Sequence, residues 1–175
     1  ENDSYLILLG TGNFSLVKCE SILDEYFFTD EQLFTGKETS KFNSLSSHKV
    51  LYPFSIMAEL KEQGLLHLGV ATGVLQTALG LDDISPIPTP PTLQSTFQFQ
   101  ISNPFDSESF GFDGQVEIDQ LIYGEVKGEA TLFVIEGKSN SVPKSIAKTK
   151  LAYPSMAIIS GGKVPEGVKV VPVYV

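Results

Sequence analysis

The sequence predicts an α+β protein in which an antiparallel sheet wraps around one long central helix. Three observations predict it. From Pro53 to Leu79, the residues Ile56, Leu60, Gly64, Leu68, Ala71, Leu75 and Ala78 recur at steps of three or four, the spacing of a helix. After His67 the only polar side chains in that stretch are Thr72, Gln76 and Thr77, so a helix there is apolar almost all round and must be buried on several sides. From Leu93 onward the period changes to two, with Phe97, Phe99 and Ile101 alternating with Gln98 and Gln100.

In chain order, Tyr5 to Leu9 is an apolar run ended by Gly10, Thr11 and Gly12, and Phe14 to Leu23 resumes with β-branched and aromatic residues: two short strands around a glycine turn. Gln32 to Phe42 is more polar and reads as a strand or extended hairpin on an exposed edge. Pro53 opens the long helix and Gly80 stops it. Ser85 to Thr92 holds four prolines in eight residues, which fix φ and remove donors, so it is an extended connector. Further strands are expected at Val116 to Tyr123, Glu129 to Ile135 and Ser145 to Ala152, with turns at Asn103-Pro104, at Gly124 and over residues 136–138. Val168 to Val175 is β-branched but broken by Pro172, as in an edge strand or a packed tail.

With 175 residues the chain fits a single domain over 1–175, in which 154–175 reads as a C-terminal extension. All 12 basic residues are Lys, and 21 acidic residues leave a net charge of −9. Nucleic acid is a poor partner for such a surface, and bidentate guanidinium clamps on phosphate or carboxylate are excluded. The charge is uneven: residues 1–136 hold six Lys against 20 acidic residues, whereas 137–175 hold six Lys against Glu166 alone. One cysteine, Cys19, forms no intrachain disulfide and is compatible with a reducing, cytoplasmic setting. No apolar run reaches 18 residues, so no membrane span is expected. The two histidines and the cysteine are too scattered for a metal site, and no cofactor fingerprint is present.

The chemistry-bearing residues gather at the start of the expected helix. Glu59, Gln63 and His67 stand at i, i+4 and i+8, one slowly drifting stripe on which a carboxyl raised by burial would do acid or base work. Ser55 and Glu62 fall near the same arc, so the stripe reads equally as the solvated face of an amphipathic helix. His48 precedes Pro53 by five residues and would swing over a site at the helix N-terminus, or lie in solvent as loop histidines commonly do.

These residues resemble the 3-hydroxyacyl-thioester dehydratases of the hot-dog fold, in a divergent form. In that family an apolar step and a proline introduce the central helix, with an acidic residue six positions on and a glutamine ten positions on. Here Val50-Leu51-Tyr52-Pro53 is followed by Glu59, Gln63 and then Gly64. The segments 97–104, 128–138 and 146–151 look like its sheet strands, and the chain from about Phe14 to Tyr153 can be laid on the pattern. Two positions depart: Leu45 stands where the family has its catalytic histidine, and Phe54 stands where it has a glycine. The resemblance implies a homodimer with an acyl tunnel and an acyl or polyketide thioester as substrate, delivered by an acyl carrier protein. It implies Glu59 as the acid, His48 as a substitute base, and Gln63, Phe54 and Gly64 against the substrate. The basic segment after residue 137 would dock the acidic carrier.

Two rivals stand beside a dehydratase or thioesterase. One is a non-catalytic β-rich binding or assembly protein for an apolar ligand or partner; the other is a small β-barrel cyclase with an apolar pocket and one carboxyl group. Glu59 separates them, because both enzymes need it buried beside a pocket and the binding protein leaves it exposed.

Overall fold

The computed structural model describes residues 3–38, 40–44, 46–85, 90, 93–102, 109–138 and 145–175. Most of the proline-rich connector, the turn at Asn103-Pro104 and Leu45 lie outside the described residues. The elements are β1 (Asp3–Gly10), β2 (Asn13–Cys19), α1 (Ile22–Glu25), β3 (Phe27–Thr29), α2 (Asp30–Phe34), α3 (His48–Ser55), α4 (Glu62–Thr72), α5 (Val74–Ala78), β4 (Leu93–Ser102), β5 (Ser109–Ile118), β6 (Gln120–Val126), β7 (Glu129–Glu136), β8 (Ser145–Ala147), α6 (Lys148–Ser160) and β9 (Lys169–Tyr174).

This corrects the expected fold. Among the described residues there is no long central helix and no single sheet wrapped around one; strand residues outnumber helical ones and fall into three small sheets, ordered β2-β1-β5-β4, β3-β8 and β6-β7-β9. Nor are the sheets purely antiparallel, since β1 with β5 and β7 with β9 run parallel. The helical stretch 53–79 breaks twice. Pro53 sits inside α3 instead of opening a helix, and its missing N–H removes one backbone bond just before α3 ends at Ser55. Gly73, with φ +82, adopts the left-handed conformation that stops α4 and starts α5. Gly69 serves the same reversal, because a Cβ on it would meet Leu75 Cγ at 2.9 Å.

Contacts divide the chain into two compact units. Unit 1 comprises Glu1–Thr35, Gln94–Glu117 and Ser141–Pro165. In it the β1/β2 hairpin buries Tyr5, Ile7 and Val17 on one face and leaves Leu6, Leu8, Phe14 and Leu16 exposed on the other, paired across the hairpin as Leu6 with Leu16 and Leu8 with Phe14. The Phe99 and Phe112 rings stack 4.5 Å apart, and Tyr153 of α6 meets both edge-on at 5.5 and 5.1 Å. The alternation of β4 and β5 thus builds an aromatic core under the hairpin.

Strand β1 meets β5 only where Gly10 pairs with Asp113. There Gly10 has φ +145, and a Cβ on it would stand 2.0 Å from the Asp113 carbonyl oxygen.

Unit 2 comprises Gly36–Leu93, Ile118–Asn140 and Glu166–Val175. Its core joins Leu66 and Val70 of α4, Leu75 of α5 and Leu81 to Ile122, Phe133 and Ile135 of the β6-β7-β9 sheet. Helix α4 buries only Leu66, Gly69 and Val70, the i, i+3, i+4 stripe of a one-sided surface helix. The residues expected to form a turn at Gly124 lie inside β6; the hairpin turns at Lys127 and Gly128, both with positive φ, whose N–H groups donate to the Asp82 carboxylate at 3.0 and 2.8 Å. Strand β9 is an edge strand as expected, and Pro172 lies on it opposite Val134.

Candidate functional site

Glu59 lies on the irregular stretch between α3 and α4, and it is exposed. His48 is exposed at the first position of α3, Gln63 and His67 are exposed on α4, and Phe54 and Gly64 are half-buried. Glu59, Gln63 and His67 therefore do not form one continuous helical stripe, because Glu59 stands before the helix that carries the other two. None of these residues lines either of the two clefts described below.

The larger cleft belongs to unit 1 and has a volume of about 310 Å3. Leu6, Leu8, Phe14, Val116, Ala147 and Pro154 supply its apolar walls, and Gln115, Glu117, Thr149 and Lys150 supply polar groups. It is bordered by β1 and β5, which pair only at Gly10 and Asp113. Tyr153 lines it too, and its hydroxyl donates to the Leu8 carbonyl oxygen at 2.7 Å. Burial, followed by the neighbouring Tyr26 and Tyr5, pushes the Tyr153 hydroxyl far above the ordinary tyrosine range, so it stays protonated as a donor. Tyr26, another lining residue, packs against Tyr5 with the rings tilted by 30° and their centres 4.6 Å apart. Cys19 is buried in the same unit, and burial together with the charges of Glu25 and Asp3 pushes its thiol up, away from nucleophilic use.

The smaller cleft belongs to unit 2, has a volume of about 220 Å3 and is walled mainly by Leu65, Leu66, Gly69, Val74, Leu75 and Gly137. Its charged lining residues are Glu62 and Lys138. The Lys138 ammonium donates to Glu62 at 2.9 Å and contacts the buried Glu136 carboxylate at 3.1 Å. Burial lowers the Lys138 pKa, but the hydrogen bonds and charges of both glutamates outweigh it and hold the ammonium above the ordinary lysine range. One lysine of the basic C-terminal segment is thus committed to acidic residues of the body. Lys148 is committed as well, to the Asp24 carbonyl oxygen at 2.5 Å and to the face of Phe28.

Among the described residues, no cluster of three histidine, cysteine, aspartate or glutamate side chains is placed to hold a metal ion, and no helix is long and apolar enough to cross a membrane. Neither cleft was legible as a site, because its residues come from segments far apart in sequence. The signal that was present was the alternation of Leu6, Leu8, Phe14 and Leu16 on one face of a hairpin.

Each of the two compact units carries a small, mainly apolar cleft with charged residues on its lining. The chain belongs to the family described as a domain of unknown function, DUF6997, whose model matches residues 28–175. No curated protein and no solved structure matches it.

Proposed function

We propose that this is a binding protein that holds a short acyl chain in the unit 1 cleft without transforming it. The cleft itself carries the proposal. Its volume of about 310 Å3 sits at the small end of ligand pockets, which run from about 300 to 1,000 Å3. Leucine, phenylalanine, valine and proline walls suit a hydrocarbon chain, and the Thr149 hydroxyl suits an oxygen of its carbonyl head. No histidine or cysteine lines it, and Tyr153 is spent on the Leu8 carbonyl. The exposure of Glu59 supports the binding reading over both enzymes. Cytoplasmic residence belongs to the same proposal, supported by the buried free thiol of Cys19. Docking of a carrier protein by the C-terminal lysines forms no part of it, since Lys138 and Lys148 are committed within the fold.

Incubation with octanoyl and 3-hydroxyoctanoyl thioesters, followed by mass spectrometry, tests it. Both should be recovered intact, while octanoate titrated against the protein shifts the amide resonances of β1 and β5 saturably. Leu8 is 37% exposed, so Leu8→Glu should fold and should weaken that binding at least tenfold. Loss of water, release of free acid, or octanoate binding untouched by Leu8→Glu would each overturn the proposal.

A further inference from the structure

The apolar surface of unit 1 runs on beyond its cleft. On the outer face of the β1/β2 hairpin Leu6 is 57%, Phe14 58% and Leu16 65% exposed, and Leu8 is 37% exposed. Leu6, Leu8 and Phe14 line the cleft, whereas Leu16 does not. Leu16 is the cross-strand partner of Leu6 and stands on β2, the edge strand of its sheet. Opposed side chains on one face of a hairpin have Cβ atoms about 4.5–5.5 Å apart, so Leu16 continues the wall that Leu6 begins. The next pair on this face is Ser4 with Lys18, where the strip turns polar. Taking about 150–250 Å2 for a large apolar side chain in full, these four offer on the order of 400 Å2 to solvent. A stable protein interface takes about 800 Å2 from each partner, so the strip is too small to hold a second copy of the chain by itself. It is the scale of one alkyl chain, whose methylenes cover about 30 Å2 each.

We infer that the acyl chain bound in unit 1 is longer than the cleft, and that its tail leaves the cleft across Leu6 and lies on Leu16; this rests on acyl binding in the cleft. At about 30 Å3 for each non-hydrogen atom, the cleft's volume of about 310 Å3 takes about ten of them, the size of octanoate. Carbons beyond the eighth must therefore lie outside it, and the apolar surface that adjoins the cleft at Leu6 is Leu16. A methylene buried on all sides tightens binding about fourfold, and one laid on an open face about twofold. The same contact covers leucine and phenylalanine side chains that otherwise stand in water. Leu16 thus favours chains several carbons longer than octanoate, without touching the head of the ligand at Thr149.

Octanoate and dodecanoate titrated separately into the whole protein, and followed through its amide resonances, test this. Dodecanoate should bind about tenfold more tightly than octanoate, as four methylenes on an open face imply. It should also add saturable shifts at Leu16, Val17 and Lys18 to those that both ligands produce in β1 and β5. Leu16 is 65% exposed, so Leu16→Ser should fold; it should remove most of the advantage of dodecanoate and leave octanoate binding unchanged. Equal affinity for the two ligands, dodecanoate shifts confined to β1 and β5, indifference of dodecanoate to Leu16→Ser, or a dimer in sedimentation that Leu16→Ser dissociates would each overturn the longer chain while octanoate binding stands. Absence of octanoate shifts in β1 and β5 would instead overturn acyl binding in unit 1 altogether, and the longer chain with it.

Discussion

Removing the Tyr153 hydroxyl separates two jobs that this residue does in unit 1. Tyr153→Phe keeps the ring against Phe99 and Phe112 and deletes only the 2.7 Å bond to the Leu8 carbonyl. A net protein hydrogen bond contributes about 0.5–1.5 kcal/mol, and leaving a buried carbonyl with no partner costs about 1–3 kcal/mol. The Leu8 oxygen borders a cleft that water can enter, so the expected cost is about 1 kcal/mol. Tyr153→Ala removes the ring as well and leaves a hole beneath the hairpin, at about 3–5 kcal/mol. Urea unfolding followed by circular dichroism should therefore show a small fall in midpoint for the phenylalanine variant and a fall several times larger for the alanine variant, at equal slope. Hydrogen exchange over residues 3–10 should speed up in both, because the bond ties β1 to α6. If Tyr153→Phe leaves both the midpoint and the exchange of β1 unchanged, the hydrogen bond does not hold the hairpin. If it costs as much as Tyr153→Ala, the aromatic packing has been misjudged.

The Lys138 pairing predicts alkaline sensitivity in unit 2. Its folded pKa lies above the unfolded value of about 10.4, so the contribution is fully present below that pH and is lost as pH rises past it toward the folded value. The unfolding midpoint should fall more steeply above about pH 10.4 in the parent protein than in Lys138→Met; equal slopes would refute this. At neutral pH that variant should cost about 1–3 kcal/mol, because Glu136 loses its lysine. Gly10→Ala should destabilise unit 1 by about 2–5 kcal/mol, combining a disfavoured φ with a clash on the Asp113 carbonyl. Gly12→Ala is the control: φ is +75 but nothing lies within 4 Å, so thermal melts should show it costing about 1 kcal/mol.

Elements with local causes were legible in the sequence. The hairpin around Gly10 and Gly12, the alternation of β4, the strand at β7 and the edge position of β9 all follow from period-two patterns and turn residues. The strand or extended hairpin expected from Gln32 to Phe42 instead starts with the last three residues of α2, where Thr29 and Gln32 carry the spacing of a capping box and both of its bonds form, at 3.2 and 2.9 Å. The strand expected from Ser145 to Ala152 ends at Ala147, where β8 gives way to α6, which runs through Pro154. The long helix failed because apolar spacing does not register where a glycine turns left-handed: Leu68, Ala71 and Leu75 keep step through a break at Gly73. Val116 to Tyr123 holds two strands of different sheets, parted at Asp119, whose carboxylate accepts the Gly137 N–H at 3.0 Å. Such partings depend on distant partners. The helical stripe expected through Glu59 depends on them too, because α3 ends at Ser55 and α4 begins only at Glu62.

The chain threads alternately through its two units, each drawn from three separate stretches. Strand β7 lies between β6, its hairpin partner, and β9, which is reached only after the chain has supplied β8 and α6 to unit 1. During synthesis, then, neither unit completes its set of strands before most of the chain has left the ribosome, and the β6/β7 hairpin waits with one flank of β7 open. Closing β9 onto β7 is a long-range step of the kind that slows folding. Loss of the segment after Pro165 would leave unit 1 with all its own strands and unit 2 with one flank of β7 bare, so such a truncation would be felt as aggregation through unit 2 before unit 1 lost its sheet.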